Sequence, residues 1–379
     1  MTTLKHDKIV FSPTDIDLSF SPLKLGEEHP TYLLGAFNPG MTRLPNGNIL
    51  LMIRVAEALS NPIGKNHVSA LRWNKKNGFI VDTYSKDELD LSDPRQILFK
   101  KYLPTTVLAL TSISWLLPVE FDEQGEEIIK IHYDKIISSS KSYQEYGVED
   151  PRITKIGDIY YMTTCSVSSM RQSSTLYMSF DGLNYQLKGV ILDHQNKDML
   201  IFEGKINNMY YALTRPLGSL YFAESPDSEF LPGPSINIAQ SPDMLHWKPV
   251  EDFMIKATNN SNLIKVGGGA QPILSDDGWL VLFHGVEKKG EVGIYRTYYA
   301  LLDKDNPTQI LKIDLVNPLL EANDELTKPF KDLIYLNDVV FTTGIIDADD
   351  YYLVASGELD MCTRLTRIPK SIFKVYPLK

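Results

Sequence analysis

The residues of this chain that could do chemistry recur at matching places in five similar segments. Each group stands where a short strand is predicted to begin and the following apolar strand to end, and the groups are Asn38 with Arg54, Asp150 with Arg152 and Thr164, Glu203 with Arg215, Gln271 with His284, and Glu358 with Asp360. The set combines acids, guanidinium groups, an imidazole and amides. Cleavage of a glycosidic bond requires a pair of carboxylates beside a polar cavity, because one donates a proton and the other prepares the nucleophile. The chain therefore has the residue types for a sugar-cleaving site.

A purely structural explanation of the same residues has to be weighed. Asp150 could form a buried ion pair with Arg152, and Arg54 could pair with Glu57. For any single residue, both explanations stay open. For the whole set the structural explanation is weaker, because each unpaired ion removed from water costs several kcal/mol. The set as a whole therefore favours a polar binding cavity.

Five hairpins are predicted to position these residues. Apolar runs rich in β-branched and aromatic residues flank turn residues at 46–47, 157–158, 207–208, 276–278 and 347–350, a pattern typical of hairpins. A hairpin repeated at blade-sized intervals indicates a β-propeller, in which each blade is a four-stranded sheet. We therefore predict an all-β fold, a five-bladed β-propeller. Because both strand ends far from the turn lie at the same end of a hairpin, the site is predicted at one end of the central funnel.

A single domain over residues 1–379 is predicted, since no low-complexity linker and no long amphipathic helix divides the chain. The interval between the first two turns is longer than one blade. It contains the charged and proline-interrupted residues 87–103. We therefore expect an insertion or an extra hairpin in this interval.

Composition excludes several functional classes. The chain has 38 Lys+Arg against 48 Asp+Glu, a net charge of −10, so nucleic-acid and anionic-membrane partners are not expected. The seven histidines lack ligand spacing, and residues 267–269 lack the Lys and Ser/Thr of a phosphate loop, so neither a metal nor a cofactor is expected. Cys165 and Cys362 are predicted to be free thiols. Charged residues 5–8 interrupt the apolar stretch that a signal peptide needs, so we expect a cytoplasmic protein.

Three motifs give the chain a family resemblance. They are the Gly-Ala-Phe-Asn-Pro-Gly segment at 35–40, the Tyr-Gly-Val-Glu-Asp-Pro-Arg segment at 146–152 and the segment 278–286. Through them the chain resembles glycoside hydrolase family 130. That family comprises five-bladed propellers that act on β-mannosides with inversion at the anomeric carbon, mostly as phosphorylases and in some branches as hydrolases. The resemblance implies an enzyme whose partner is a β-mannoside oligosaccharide.

The resemblance also implies roles for individual residues. Asp150 would be the proton donor, which in the phosphorylases is thought to work through a sugar hydroxyl, and Asp360 would hold the mannosyl unit. The basic residues that resemble the phosphate-holding set of the phosphorylases are Arg54, Lys265 and His284, with Arg215 as a further and Arg171 as a weaker candidate. Convergent cationic donors are what an anion site requires. The predicted substrate-binding residues are thus Asn38, Arg54, Arg152, Arg215, Lys265, His284, Glu358 and Asp360.

One departure from the family pattern favours water over phosphate as the nucleophile. Glu203 stands where the phosphorylases commonly have proline, and a carboxylate there would repel phosphate while being able to deprotonate water. We therefore expect an exo-acting β-mannosidase with a single displacement, in which Asp150 assists the leaving group and Glu203, with Glu358 as a second candidate, activates water.

Two alternatives to hydrolysis stay open at this point. A β-mannoside phosphorylase would release mannose 1-phosphate and would use inorganic phosphate as its co-substrate. A carbohydrate-binding propeller without turnover would use the same cavity for recognition alone. The accepted linkage is expected to depend on loops such as 217–234, and a homo-oligomer is compatible with the sequence.

Overall fold

A computed structural model describes residues 6–104, 106–192, 194–217, 234–250, 253–258 and 260–374 of the chain. These residues form mainly strands, which confirms the predicted all-β class. In chain order the strands are β1 (Asp7–Phe11), β2 (Thr31–Arg43), β3 (Ile49–Leu59), β4 (His67–Asn74), β5 (Gly78–Ser85), β6 (Leu89–Asp90), β7 (Gln96–Phe99), β8 (Leu108–Leu110), β9 (Ser112–Phe121), β10 (Ile128–Ile131), β11 (Val148–Ile156), β12 (Ile159–Val167), β13 (Gln172–Ser179), β14 (Gln186–Val190), β15 (Asn196–Ile206), β16 (Met209–Pro216), β17 (Asn237–Ser241), β18 (Lys248–Pro249), β19 (Leu263–Gly268), β20 (Ile273–Ser275), β21 (Gly278–Glu287), β22 (Ile294–Leu302), β23 (Ile310–Asp314), β24 (Val340–Asp347), β25 (Tyr351–Glu358) and β26 (Cys362–Pro369).

The helical elements are short. They are α1 (Asp324–Thr327) and the 3₁₀ turns Pro13–Asp15, Leu18–Phe20, Lys86–Glu88, Lys100–Tyr102, Tyr133–Lys135, Ser142–Gln144, Lys328–Phe330 and Lys370–Ile372. Within the described ranges, no helix has the length and apolar character needed to cross a membrane.

Most strands belong to five antiparallel sheets, of which four have four strands and one has five. In pairing order the first sheet is β2-β3-β9-β10, the second β11-β12-β13-β14, the third β15-β16-β17-β18, the fourth β19-β21-β22-β23 with β20 also paired to β21, and the fifth β24-β25-β26-β1. Strand β1 pairs with β26, so segments far apart in the sequence complete one sheet.

Local sequence explains the hairpins with which the sheets begin. The turn between β15 and β16 is Asn207-Asn208, with φ of 50° and 65°. A type I′ turn requires this left-handed backbone at both central residues, and asparagine tolerates it better than most side chains do. Gly47 and Gly157 supply φ of 90° and 58° in two other turns, where glycine adopts positive φ without steric cost. The turn residues recognised in the sequence thus close hairpins as predicted.

A bulge recurs in the first strand of three sheets and sets the geometry of the site. The strand pairing shifts register at Asn38 in β2, Asp150 in β11 and Asp198 in β15, and these residues have φ of 49°, 48° and 53°. A bulge bends the strand and redirects a side chain. The three residues are therefore structurally equivalent, and the paired strands place Arg54 and Arg215 beside the first and the third bulge.

The segment between β3 and β9 is the insertion expected from the long interval between the first two turns. Strands β4 and β5 form a two-stranded sheet, and β6, β7 and β8 form a three-stranded sheet. Arg95, Gln96, Leu110 and Thr111 of this segment line the pocket described below. The insertion therefore contributes one wall of the candidate site.

Separate hydrophobic clusters join neighbouring sheets. One combines Leu50 and Met52 of the first sheet with Ile153 and Met162 of the second. Other clusters join the second sheet to the third, the third to the fourth, the fourth to the fifth and the fifth to the first. Burial of apolar surface contributes about 25 cal/mol per Å², so these contacts stabilise the positions of the strand ends that carry the site.

Candidate active site

The structure brings most of the predicted site residues to one cavity. In the part of the chain that the structure describes, a pocket of about 280 Å³ is lined by the predicted residues Asn38, Arg54, Asp150, Arg215, Lys265, His284 and Asp360. Its further polar and aromatic lining includes Arg95, Glu149, Gln172, Lys197, Tyr295, Tyr335 and Phe341. All five sheets and the insertion contribute side chains. Such a concave site with converging polar groups is suited to bind a polar ligand.

Asp150 is held as a carboxylate by its neighbours. Its Oδ1 accepts hydrogen bonds from Asn38 Nδ2 at 2.9 Å and from Arg54 Nη1 at 2.8 Å. Burial alone would raise the pKa of Asp150, but the charges of Arg54 and Arg152 outweigh burial and hold this pKa well below its usual range. The side chain is only 3% exposed, so its orientation toward the pocket is fixed before any ligand binds.

Arg54 connects both acids of the Glu-Asp-Pro-Arg motif. Its Nη2 donates to Glu149 Oε1 at 2.9 Å, and its Nε donates to Ser114 Oγ at 2.9 Å. With Nη1 bonded to Asp150, each of its three nitrogens donates to a protein group. Arg54 therefore orients the two carboxylates in this structure.

Asp198 is the centre of a buried ionic network on the third sheet. Its Oδ1 accepts from Arg152 Nη2 at 3.1 Å, and its Oδ2 lies 3.0 Å from Arg215 Nε. Arg152 also donates to the carbonyl oxygen of Asp150 at 2.9 Å. Burial would raise the pKa of Asp198, but Arg215 and Arg152 lower it further than burial raises it. Asp198 thus fixes the direction of Arg215, which faces the pocket.

His284 lines the pocket as a neutral imidazole. Its Nδ1 lies 3.2 Å from the carbonyl oxygen of Gly268, and its Nε2 lies 3.2 Å from Arg215 Nη1. A carbonyl accepts and a guanidinium donates, so Nδ1 carries the proton and Nε2 accepts. Burial, as the largest cause, lowers the pKa of His284 to about 3. His284 therefore orients Arg215. It does not add a positive charge to the anion-binding residues, contrary to the expectation from the sequence.

Gly267 provides the space for this arrangement. A Cβ atom at this position would lie 2.5 Å from Cε1 of His284 and 2.7 Å from Cδ of Arg215. Any side chain would therefore displace one of the two residues. The glycine-rich segment 267–269 serves close packing behind the pocket.

Two lysines give the pocket its unmatched positive charge. Among the described residues, neither Lys197 nor Lys265 has a carboxylate within 4 Å, whereas Arg95 pairs with Asp93 at 2.9 Å. Burial would lower the pKa of Lys197, but the carboxylates of Asp198 and Glu149 raise it, so this lysine stays charged. Lys265 lies 5.4 Å above the ring of Tyr295. The side of the pocket with these lysines is suited to an anion.

Asp360 and Asp150 have different proton affinities although they line the same pocket. Burial raises the pKa of Asp360 to about 6, with Arg54 opposing this shift and Asp150 adding to it. Tyr335, which also lines the pocket, donates its hydroxyl to the backbone oxygen of Asp360 at 3.2 Å. Two carboxyl groups with separated pKa values can take different roles in one reaction.

Glu203 is not part of this pocket, and the prediction that it prepares a nucleophile is corrected. It lies near the turn end of the β15–β16 hairpin, is exposed, and has the turn-end residue Asp347 as its charged neighbour. The sequence pattern placed the start of the strand at Glu203, but β15 begins at Asn196. The residue equivalent to Asp150 is therefore Asp198.

Glu358 and Arg152 also lie outside the lining of the pocket. Glu358 is buried, and its Oε2 accepts from Arg364 Nη1 at 2.9 Å, while Arg364 binds Asp7 through Nε at 2.7 Å. This network joins β1 to β26 and is structural, so the assignment of Glu358 to substrate is corrected. Arg152 acts behind the pocket through Asp150 and Asp198. Most of loop 217–234, namely 218–233, lies outside the described residues.

Sequence reasoning missed several lining residues. Lys197, which lines the pocket, and Asp198 behind it repeat the pattern of Glu149 and Asp150, a charged residue followed by Asp. This repeat in the sequence could have revealed both residues. Arg95 offered no comparable signal, because it belongs to the insertion and approaches the pocket only in the folded chain.

Comparison with known proteins identifies the class of enzyme. The model of glycoside hydrolase family 130, described as beta-1,4-mannooligosaccharide phosphorylase, matches residues 115–377. The chain belongs to glycoside hydrolase family 130 and is an enzyme of that type.

Individual relatives share most of this chain. A beta-1,2-mannobiose phosphorylase of Listeria innocua is 32% identical over 360 residues, which cover 93% of each chain. A 1,2-beta-oligomannan phosphorylase of a Thermoanaerobacter species is 31% identical over 231 residues, 60% of this chain and 70% of the relative. The solved complex of the Listeria innocua enzyme with beta-1,2-mannobiose superposes with a TM-score of 0.78 at 29% identity and covers 97% of this chain and 98% of its own.

These relatives overturn the expected hydrolysis. Both of them are named as phosphorylases, and Glu203, on which the expectation of a β-mannosidase rested, lies away from the pocket. The prediction of an exo-acting β-mannosidase was therefore wrong. The alternative of phosphorolysis fits the relatives and the charge of the pocket.

Proposed function

We propose that this protein is an inverting β-mannoside phosphorylase. The observation that carries the proposal is the pair of charged lysines, Lys197 and Lys265, that have no carboxylate partner among the described residues and face the same pocket as Asp150. A phosphate dianion would supply the missing negative charge. Inorganic phosphate is then the co-substrate, and no other cofactor is needed for the reaction.

The proposed reaction is a single displacement. An oxygen of phosphate attacks the anomeric carbon of the terminal mannosyl unit while the bond from this carbon to the glycosidic oxygen breaks. Asp150, a carboxylate in the free protein, first takes up a proton from solvent when the negative phosphate is bound. It then passes this proton to the leaving oxygen through a sugar hydroxyl, as the family resemblance implies, and returns to the carboxylate form. Attack from the face opposite the leaving group inverts the anomeric centre. The products are α-mannose 1-phosphate and a saccharide shortened by one unit.

The remaining residues take supporting roles in this proposal. Lys197, Lys265 and Arg215 bind the phosphate, and Asp360 binds the mannosyl unit. Asn38 and Arg54 hold Asp150 in place. Asp198 and His284 act as positioning residues, because both contact the guanidinium of Arg215.

The proposed substrate is a β-1,2-linked mannoside such as β-1,2-mannobiose, because relatives with this printed specificity cover most of the chain. We expect incubation with this disaccharide to yield mannose 1-phosphate only when phosphate is present. Chromatography of the products with and without phosphate checks this result. Free mannose formed at the same rate in both reactions would contradict the proposal, and a parallel incubation with β-1,4-mannobiose measures the preference for linkage.

We also propose that the five sheets are the blades of one propeller domain over residues 1–379. The five interface clusters, each joining one sheet to the next and the last sheet to the first, support this arrangement. One cooperative thermal transition, with equal calorimetric and van't Hoff enthalpies, is the expected result. Small-angle scattering should give a radius of gyration of about 21 Å. Two resolved calorimetric transitions would contradict a single domain.

A cytoplasmic location is part of the same proposal. Cys165 and Cys362 are buried free thiols, which is typical of proteins in a reducing compartment. Fractionation of cells that produce the protein tests this location, and recovery outside the cytoplasmic fraction would contradict it.

A further inference from the structure

A second cavity opens beside the active-site pocket, and we propose that it binds an apolar aglycone, an alkyl or aryl group attached to the saccharide that phosphorolysis releases. The inference rests on the proposed function for the ligand of the first pocket. The second cavity measures about 280 Å³ and shares Leu34, Gln96, Thr111 and Tyr335 with the active-site pocket. The two cavities are therefore adjacent, and a ligand held in the first pocket has the second next to it. We name this second cavity the aglycone groove.

The walls of the aglycone groove are mainly apolar. They include Leu59 at the end of β3 and Val68 and Ile97 of the insertion, all three of which are buried. Tyr32 and Ile63 also line the groove, yet they are 45% and 57% exposed. Large apolar side chains that remain this exposed gain free energy when a ligand covers them.

Asp93 and Thr111, two of the polar side chains that line the groove, already have partners. Asp93 accepts from Arg95 at 3.0 and 2.9 Å and from Gln96 Nε2 at 3.1 Å. The hydroxyl of Thr111 donates to the carbonyl oxygen of Pro94 at 2.8 Å. A sugar ring placed against Asp93 and Thr111 would lose hydrogen bonds to water that these two side chains do not replace. An apolar group loses nothing of this kind, so the groove favours an alkyl or aryl occupant over another sugar unit.

The Asp93–Arg95 ion pair lies between the two cavities and presents a different charge to each of them. Arg95 lines the active-site pocket, whereas Asp93 lines the aglycone groove. The positive end of this pair therefore faces the pocket with Lys197 and Lys265. Phosphate and an apolar aglycone would thus occupy neighbouring cavities that differ in charge.

Synthesis in the reverse direction tests the aglycone groove. Mannose 1-phosphate serves as donor, and octyl β-mannoside, below its micelle concentration, is compared with methyl β-mannoside as acceptor. Burial of each methylene is worth about fourfold in affinity, so we expect kcat/KM to be about tenfold or more higher for the octyl acceptor. Ile63→Ser should reduce this octyl-to-methyl ratio about threefold or more. Ile129→Ser in β10 is the matched control, because Ile129 is 55% exposed and lies away from both cavities, and it should leave the ratio unchanged.

Other results of this experiment would each decide against the aglycone groove or against the proposed function. Equal use of the two acceptors, or an unchanged ratio in Ile63→Ser, overturns the proposal. The enzyme could instead prefer β-1,2-mannobiose over mannose as acceptor, lose this preference in Ile63→Ser, and show no preference for the octyl acceptor. That result would assign the groove to a sugar ring and would also overturn the proposal. If mannose is extended but neither alkyl mannoside is, the groove proposal alone is overturned. If mannose is not extended either, the proposed phosphorylase activity fails, and titration calorimetry of octyl against methyl β-mannoside then decides the groove alone, with equal affinities counting against it.

Discussion

Replacement of Asp150 by Asn reduces the rate of phosphorolysis by about 10²–10⁴-fold, the usual contribution of general acid catalysis. The amide has almost the same shape as the carboxyl group but has no acidic proton for the leaving oxygen. Arg54 keeps its hydrogen bonds to Glu149 and Ser114, so we expect the variant to fold. Initial rates with β-1,2-mannobiose and phosphate measure the effect.

Asp181→Asn is the matched control for this variant. Asp181 accepts hydrogen bonds from the backbone N–H groups of Leu183 and Asn184 at 2.9 and 2.7 Å, in a turn outside the pocket. Its replacement should lower the melting temperature while kcat stays near that of the unchanged protein. If Asp150→Asn keeps a rate within about threefold of the unchanged protein, the loss is far smaller than the loss expected for a general acid. Asp150 would then have no part in the proton-transfer step.

The pH profile gives a second readout of the same residue. In the free protein Arg54 and Arg152 hold the pKa of Asp150 low despite burial, so the group has to take up a proton before it can donate one. Bound phosphate is negative and raises the pKa of a nearby carboxyl group. Activity should therefore fall as the pH rises through the pKa of Asp150 in the ternary complex, and Asp150→Asn should lack this decline.

The hairpin pattern of the sequence was sufficient to predict the all-β class. Turn residues such as Asn207 and Gly157 are local signals, because the required backbone conformation depends on the residue itself. The position at which each strand begins, and therefore which of its residues reach the pocket, could not be predicted in the same way. An apolar run shows which residues are buried, but the bulge at Asp198 shifts the register. A second shift, between Ile201 and Lys205, adds residues between the site and the turn, so Glu203 lies on the turn side of β15 and was wrongly taken for the residue equivalent to Asp150.

Charge pairing within the site could not be predicted from the sequence either. The positions of Arg54, Arg215 and His284 followed from the hairpin repeat. Their states depend on contacts between distant segments, since Arg215 meets both Asp198 and His284 only in the folded chain. His284 therefore looked like a cation in the sequence and is a neutral hydrogen-bond acceptor in the structure. The insertion that carries Arg95 was visible as a long interval, but its approach to the pocket was not.

Replacement of Lys265 by Met raises KM for phosphate about tenfold or more, because hydrogen bonds to charged groups contribute about 1.5–3 kcal/mol each. Methionine keeps much of the length and apolar volume of the lysine side chain but removes the charge. The binding of the mannoside depends on other groups, so KM for β-1,2-mannobiose at saturating phosphate should change much less. Initial rates over a matrix of both substrate concentrations measure the two constants.

Lys155→Met is the matched control for the lysine. Lys155 lies 5.1 Å from the ring centroid of Tyr160, much as Lys265 lies 5.4 Å from that of Tyr295, but it is exposed on β11 outside the pocket. Both variants lose a lysine above a tyrosine ring, and only the variant in the pocket loses a charge next to the proposed phosphate. An equal change of KM for phosphate in the two variants, or a change of KM for the mannoside alone in Lys265→Met, would place the anion elsewhere. Because unfolding would impair the use of both substrates, a change of KM for phosphate alone reports binding and not unfolding.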